Sequence, residues 1–453
     1  MTDKPQLFGT DGVRGVAGQY PLDRETVWKL GQALAAVLAR QNSERPLRVV
    51  LGEDTRQSSG WISAAFAAGL QSRGVEPSYA GVITTPGVAF LTRHRSFAAG
   101  AVVSASHNPF DDNGIKILSR AGMKLPESTE VEIERALVAC QSPATTETVQ
   151  PLRVEDGLLA DYLEYLAGML PGGHLRRAPR LVVDCAHGAA SRVIPALLDH
   201  LGVEARVLHA EPNGRNINLG CGSLHPQAMA EETRTTGADL GVAFDGDADR
   251  AIFATPEGRT LDGDYVLFAA ATFLEPRGLL KGRAVVGTSM ANLGLELALA
   301  ERGIGLKRTP VGDKYVLEEM LRSGINLGGE PSGHIIFSDL SLAGDGIITL
   351  LEVLRLLEET GHPLSELVSG LRQFPQIIRN VRVREKLPLD SIPEVARAIA
   401  DCRREFVDRG RVVVRYSGTE PLARVMVEAE QAEAVERHAA RIAQAIETKL
   451  GIL

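Results

Sequence analysis

Leu181-Val182-Val183-Asp184, then a helical run through Ile194-Pro195-Ala196-Leu197-Leu198, then Gly202-Val203 and Ala205-Arg206-Val207-Leu208, is the stretch from which the fold is read. The first run is apolar without alternation and too short for a helix, which describes a strand buried on both faces. The helical run follows, glycine stops it, and a second strand begins. The same rhythm occurs twice more. Leu47-Arg48-Val49-Val50-Leu51-Gly52 leads to a helix from Trp61 to Ser72, then Gly74-Val75 and Pro77-Ser78-Tyr79-Ala80. Ala284-Val285-Val286-Gly287 leads to a helix from Leu293 to Glu301, then Gly303-Ile304 and Leu306-Lys307-Arg308-Thr309. Unbroken apolar strands alternating with helices predict α/β sheets covered on both sides.

The C-terminal stretch has another pattern. Val381-Arg382-Val383 and Val412-Val413-Val414-Arg415-Tyr416 are predicted strands, Ala423–Ala429 alternates strictly, and a helix is predicted from Ala432 to Lys449. The expected fold is three similar α/β domains with mixed sheets flanked by helices, plus a smaller C-terminal α+β domain. The expected bounds are 1–145, 146–256, 257–371 and 372–453. Linkers are expected near Gln141–Glu147, Pro256–Arg259 and Leu371–Pro375, the last as a hinge.

Composition limits the function. Hydrophobic residues make up 44% and charged residues 23% of 453, a globular balance. The formal net charge is −8 and no basic block occurs, so no nucleic-acid partner is expected. Four scattered cysteines suggest neither a disulfide framework nor a zinc knuckle and fit a reducing compartment. No apolar run approaches the ~20 residues of a membrane span, and the first residues carry no signal-peptide pattern. A cytoplasmic protein with no membrane partner is expected.

Phe244-Asp245-Gly246-Asp247-Ala248-Asp249-Arg250 is the sharpest chemical feature. Three carboxylates alternate with small residues on one loop. Two unit charges about 4 Å apart repel by about 4 kcal/mol at an effective dielectric near 20, so a cation is expected among them. Oxygen ligands of this hardness select Mg²⁺ or Ca²⁺. A calcium EF-hand needs glycine and glutamate where this loop has Arg250 and Pro256, so it fails.

Val102-Val103-Ser104-Ala105-Ser106-His107-Asn108-Pro109 is followed by Asn113-Gly114-Ile115-Lys116. A serine at a strand end is a nucleophile when a base or metal activates it. Spacing does not choose between Ser104 and Ser106, and a capped turn is an equal alternative. Arg415-Tyr416-Ser417-Gly418-Thr419-Glu420-Pro421, with Arg424 beyond, offers hydroxyls, a glycine amide and two guanidiniums, a set able to wrap a phosphate. Gly328-Gly329-Glu330-Pro331-Ser332-Gly333-His334 offers polar contacts for hydroxyls, and Phe8–Gly15 presents Arg14 among glycines. No P-loop occurs, which disfavours an ATP-driven kinase.

Taken in this order, the five segments resemble the α-D-phosphohexomutase superfamily from Phe8 to Arg424. Val311–Val316, Asn216-Ile217-Asn218 and Cys221-Gly222-Ser223 are similar to its glucosamine branch. The resemblance implies that Ser106, which directly precedes the histidine, carries a phosphoryl group required for activity. It implies that Asp245, Asp247, Asp249 and the Ser106 phosphate bind one Mg²⁺. It assigns Glu330, Ser332 and His334 to the sugar, and Arg415, Ser417, Gly418, Thr419 and Arg424 to the non-reacting phosphate. Arg14, His107, Lys116 and Arg250 match positions that support transfer. Lys116 is the first candidate for the base and His107 the second; a basic lysine needs a depressed pKa.

The implied reaction interconverts glucosamine 6-phosphate and glucosamine 1-phosphate through a bound 1,6-bisphosphate. Glucosamine or glucose 1,6-bisphosphate serves as primer, and the product feeds UDP-N-acetylglucosamine and cell-wall precursor synthesis. The alternatives are a phosphomannomutase or phosphoglucomutase, and a non-catalytic sugar-phosphate sensor. The expected partner is a small hexosamine phosphate, with a homodimer as the candidate assembly. One departure from the branch is Pro331 where glutamine is usual; proline stiffens the loop and removes a backbone donor.

Overall fold

Val49, Leu51, Ala101 and Val103 point to one face of the first sheet, and Val50, Gly52, Gly100 and Val102 to the other, yet all eight are buried. The odd-numbered side packs into a core with two long helices. On the even-numbered side, a Cβ at Gly52 or Gly100 would meet Val88 of a third helix. Coverage on both faces is why these strands carry no polar alternation. The computed structural model describes residues 5–9, 11–42, 46–140, 142, 150–170, 174–407, 409–417 and 421–451.

The first sheet is built from β1 (Val13–Val16), β2 (Leu47–Glu53), β3 (Val75–Val82), β4 (Ala99–Val103) and β5 (Asp112–Ser119). Its helices are α1 (Arg24–Gln41), α2 (Ser59–Gln71), α3 (Thr85–His94) and α4 (Glu127–Val138). The strand order is β3-β2-β4-β5-β1. The first three strands are parallel and the last two turn antiparallel.

The second sheet repeats this plan. It contains α5 (Leu158–Ala167), β6 (Leu181–Asp184), α6 (Ala190–Leu201), β7 (Ala205–Leu208), α7 (Gln227–Thr236), β8 (Leu240–Phe244), β9 (Ala251–Ala254) and β10 (Thr260–Leu261). Its order is β7-β6-β8-β9-β10, again parallel then antiparallel. The third contains α8 (Gly263–Leu274), β11 (Ala284–Thr288), α9 (Leu293–Ala300), β12 (Gly305–Thr309), α10 (Asp313–Ser323), β13 (Leu327–Gly329), β14 (Ile335–Phe337), α11 (Gly346–Thr360) and α12 (Leu364–Leu367). Its order is β12-β11-β13-β14, with β14 antiparallel to β13.

The last sheet is antiparallel, in the order β15 (Gln376–Arg382), β17 (Leu422–Ala429), β16 (Gly410–Tyr416). It packs with α13 (Pro393–Phe406) and α14 (Ala432–Leu450) around Val395, Val425, Val427 and Ile442. Three α/β domains with mixed sheets and a smaller C-terminal domain are therefore present. By contacts the chain divides into two units, Met1–Ser289 with Lys307–Val368, and Met290–Leu306 with Ser369–Leu453.

One expected linker is corrected. Pro256–Arg259 is the turn of the β9–β10 hairpin, where Thr260 pairs with Ala254, so it lies inside the second sheet. Leu371–Pro375 falls a few residues after Val368, where the first unit's last segment ends. The Asn292 side chain donates to Phe374 O at 3.0 Å and accepts from Phe374 N at 2.9 Å, both within the second unit. The third, Gln141–Glu147, lies outside the described residues except for Ser142.

Candidate active site

Ser106 follows β4, Asp245 follows β8 and Glu330 follows β13. These strands hold the same place in three sheets of like order. Each is the last parallel strand before the sheet turns antiparallel, and loops at the carboxyl ends of parallel strands are where α/β sheets bind ligands. The repeated fold thus offers three loops, and each carries a different set of side chains.

The two serines are distinguished by their partners. Ser104 Oγ donates to Asp54 Oδ2 at 2.7 Å and accepts from Ser106 N at 2.9 Å. Ser106 Oγ donates to Asp245 Oδ2 at 2.6 Å and lies 3.3 Å from His107 Nδ1. Ser104 is thus committed to its own loop, and Ser106 faces the carboxylates. Ser106 has φ +53°, a left-handed conformation that costs a non-glycine residue roughly 1–3 kcal/mol.

The three aspartates form one group, with ligand oxygens within 4.8 Å of one another. Asp245 and Asp247 are fully buried. Asp247 Oδ1 and Asp249 Oδ1 are buried without a hydrogen-bond partner, a state that a cation would relieve. The donors therefore fit a hard divalent ion. Burial, Asp249 and Asp247 push the Asp245 carboxyl well above its usual range. Against burial, Lys116, His334 and Arg250 hold Asp249 well below it. Gly246 is needed here, because a Cβ would stand 2.5 Å from Ser106 O.

Lys116 lies on β5, and its Nζ is 2.6 Å from Asp247 Oδ2 and 3.7 Å from Asp249 Oδ2. The depressed pKa expected of a lysine base is not what this geometry produces. Burial lowers it, but Asp247, Asp249 and Asp11 more than reverse that and raise it above the usual lysine value. His107 is shifted the other way, to about 4, by burial and by Arg250 and Arg14. Of the two base candidates, the neutral one at neutral pH is thus His107.

Arg14 arrives by strand pairing, opposite Gly114. It donates to Asp11 Oδ2 at 3.2 Å and lies 3.5 Å from Ala105 O. Arg250 donates its backbone N–H to Asp245 Oδ1 at 3.2 Å, and its Nε is 3.8 Å from Asp249 Oδ1.

The Glu330–His334 turn docks beside the aspartates. Gly333 has φ +90° and would place a Cβ 2.4 Å from Ala251 O, next to Arg250. Glu330 Oε1 accepts from Gly312 N at 3.1 Å, and Ser332 Oγ is 3.4 Å from Glu330 Oε2. His334 reaches Asp249 and Asp313, each at 3.7 Å. Burial lowers its pKa, but Asp249, Asp313 and Glu330 raise it to about 9, so it is cationic at neutral pH. Pro331 keeps its carbonyl engaged with Gly263 N at 3.1 Å.

In the second unit, Arg415 and Arg424 lie directly opposite on β16 and β17. Like charges paired across strands repel, which an anion between them would reverse. Ser417 N donates to Leu422 O at 2.8 Å, and Ser417 O accepts from Lys386 Nζ at 2.7 Å. Gly418 and Thr419 lie outside the described residues.

Several residues near the site escaped sequence reasoning. Thr85 Oγ1 donates to Asp247 Oδ2 at 2.5 Å. Lys124 is shared by Asp11 and by Asp313 at 2.6 Å. Arg56 is wholly buried against the Ser106 loop. Asp54-Thr55-Arg56 directly follows the buried β2, and that strand-end placement was the available signal. A second group of potential ligand atoms among the described residues is Asp184, His209 and Cys221. Asp184 already accepts from Ala186 N at 2.8 Å and Gly222 N at 3.0 Å.

Comparison with known proteins follows the same order of domains. Models of phosphoglucomutase/phosphomannomutase match as alpha/beta/alpha domain I at residues 5–142, domain II at 160–258, domain III at 262–374 and the C-terminal domain at 379–445. A phosphoglucosamine mutase of Solibacter usitatus is 48% identical over 98% of this chain and 99% of its own. Another, of Koribacter versatilis, is 49% identical over 99% of each. In fold, a phosphoglucomutase/phosphomannomutase family protein of Burkholderia thailandensis superposes with a TM-score of 0.79 at 24% identity, covering 98% of this chain and 97% of that one.

Proposed function

Because the chain belongs to the phosphoglucomutase/phosphomannomutase family and is similar to phosphoglucosamine mutases along nearly its whole length, we propose that it interconverts glucosamine 6-phosphate and glucosamine 1-phosphate. The observation that carries the reading is the Ser106 hydroxyl held against a three-aspartate group, beside a cationic lysine and a neutral histidine.

In the forward direction, phospho-Ser106 gives its phosphoryl group to O1 of glucosamine 6-phosphate. The P–Oγ bond breaks as the P–O1 bond forms, and the proton that O1 loses passes through His107 Nδ1 to the Ser106 Oγ left behind. The 1,6-bisphosphate turns over in place, and Ser106 Oγ takes the phosphoryl group from O6. In this second step His107 Nδ1 accepts the serine proton as the P–Oγ bond forms and delivers it to O6 as the P–O6 bond breaks. Lys116, Arg14 and Arg250 stabilise the charge on the moving phosphoryl group, which is the main task in phosphoryl transfer. Asp245, Asp247 and Asp249 hold Mg²⁺, which when bound supplies charge compensation for the phosphoserine. Glu330, Ser332 and His334 take the sugar hydroxyls. Arg415, Ser417, Gly418, Thr419 and Arg424 hold the phosphate that is not being transferred. Glucose or glucosamine 1,6-bisphosphate primes Ser106. The reading extends to a cytoplasmic enzyme acting as a homodimer and supplying amino-sugar nucleotide synthesis.

The test is turnover of glucosamine 6-phosphate with a 1,6-bisphosphate primer, with and without Mg²⁺, against glucose and mannose 6-phosphates. Primer- and Mg²⁺-dependent turnover with the highest kcat/KM for the amino sugar is expected. A preference for glucose or mannose phosphate would sink the glucosamine assignment. Inorganic phosphate as the main product would replace the mutase with a phosphatase.

A further inference from the structure

The Ser106 carbonyl is gripped from two domains at once. Arg56 Nη2 donates to Ser106 O and to Asn108 O, each at 2.9 Å. Its Nη1 donates to Pro109 O and, at 3.1 Å, to Asp112 O. Its Nε donates to Asp54 Oδ2 at 2.9 Å, in an ion pair whose two side chains have no exposed surface. One guanidinium therefore binds four carbonyls of the nucleophile loop and one carboxylate.

The second grip comes from the second sheet's domain. Asn218 Nδ2 donates to Ser106 O at 2.9 Å and to Asn108 O at 3.1 Å. Asn218 itself has φ +58°, a conformation that asparagine tolerates better than most residues. Asp54 completes the set by accepting from Ser104 Oγ, which in turn accepts from Ser106 N.

These bonds have one geometric consequence. With its carbonyl drawn back by Arg56 and Asn218 and its N–H held by Ser104, Ser106 stays at φ +53° and its Oγ faces Asp245. None of these donors reaches the Ser106 hydroxyl itself. A catalyst that alternates between serine and phosphoserine needs one Oγ position for both states, and a loop held only by its own side chain would lose it.

We propose that Asp54, Arg56 and Asn218 are positioning residues that hold Ser106 in the left-handed conformation from which its Oγ gives and receives the phosphoryl group. The inference rests on the phosphoserine reading above. It adds that the nucleophile's geometry is set by a buried guanidinium of its own domain and an amide of the next.

The test uses the full chain with Asn218→Gly, which keeps the positive φ and removes the donor, and with Arg56→Lys, which keeps charge but not the fork. Phosphorylation of Ser106 by glucose 1,6-bisphosphate is followed by intact mass in a single turnover, alongside kcat, KM and melting temperature. The expected result is a rate per active molecule lowered about tenfold or more, with KM for glucosamine 6-phosphate within about twofold of wild type. A purely structural role would lower the melting temperature and the active fraction while leaving that rate intact, and this result would overturn the inference. Should Arg56→Lys fail to fold, Asn218→Gly alone decides, because Asn218 is only partly buried in a loop. A wild type that takes no phosphoryl group overturns the mutase reading and this inference together. A wild type that does, with variants keeping its rate, overturns only the positioning role.

Discussion

Ser106 Oγ donates a 2.6 Å hydrogen bond to Asp245 Oδ2, from a residue 139 positions away. The bond joins the ends of equivalent strands in two sheets, so the serine and the acidic group meet by repetition of one architecture. Adding Mg²⁺ is expected to raise the melting temperature of wild type and of Ser106→Ala alike, because the aspartates bind the ion without the hydroxyl. At a hundred times the dissociation constant the gain is about 2.7 kcal/mol. Ser106→Ala is expected to lose mutase turnover by about 10⁴-fold or more. Thermal melts and the coupled assay check both, and a Ser106→Ala enzyme at wild-type rate would end the phosphoserine mechanism.

Lys116 is the buried countercharge to Asp247 and Asp249. Removing one partner of such a pair leaves charge uncompensated, at a cost of about 3–5 kcal/mol. Lys116→Met is therefore expected to unfold at lower urea and to gain more stability from Mg²⁺ than wild type does. Its kcat/KM should fall about 10²-fold or more, as when an oriented cation or donor is removed from a transition state. Equal Mg²⁺ gains in the two proteins would contradict the countercharge role.

Lys124 ties Asp11, beside Arg14, to Asp313, beside His334. The ammonium thus links the arginine end of the site to the histidine of the Glu330–His334 turn. Lys124→Ala and Asp313→Asn should each destabilise the protein. The double variant should fall short of the sum by about 1 kcal/mol or more, as contacting groups in one network do. Strict additivity in urea melts would show that the two groups act independently.

Asp345 caps α11 and accepts the Tyr162 hydroxyl at 2.6 Å. Burial raises its pKa from 3.8 to about 6, although the Tyr162 hydroxyl and the amides of Ile348 and Ile347 pull it down. A folded value above the unfolded one gives stability that is complete below 3.8 and is lost as pH rises through 6. Asp345→Asn lacks this dependence. Between about pH 4 and pH 7 wild type should lose on the order of 3 kcal/mol relative to the variant. Urea unfolding across that range measures the difference, and a flat difference would contradict the assigned shift.

Much of the site was legible because its signals are local. Three carboxylates at alternate positions announce a cation whatever the fold, and an apolar run ending in hydroxyls announces a strand-end loop. Three strand-helix-strand rhythms were enough for three α/β domains, since burial on both faces removes polar alternation within each run. The helix Pro393–Phe406 was missed, and a turn inside the second sheet was taken for a linker. A hairpin turn and a domain linker have the same composition, and only the pairing of Thr260 with Ala254 separates them.

By itself, then, the sequence determined the kinds of chemistry and the order in which the chain carries them, because spacing and periodicity act over a few residues. The choice between Ser104 and Ser106 was open on spacing and was made through resemblance; the structure adds that Ser104 bonds to Asp54 while Ser106 bonds to Asp245, with its carbonyl held by Arg56 and Asn218. Only tertiary structure shows that the surroundings push the Lys116 pKa up and the His107 pKa down. A pKa sums the fields of Asp11, Arg14, Asp247, Asp249 and Arg250, charges that lie far apart in the chain and come together only when its sheets are packed.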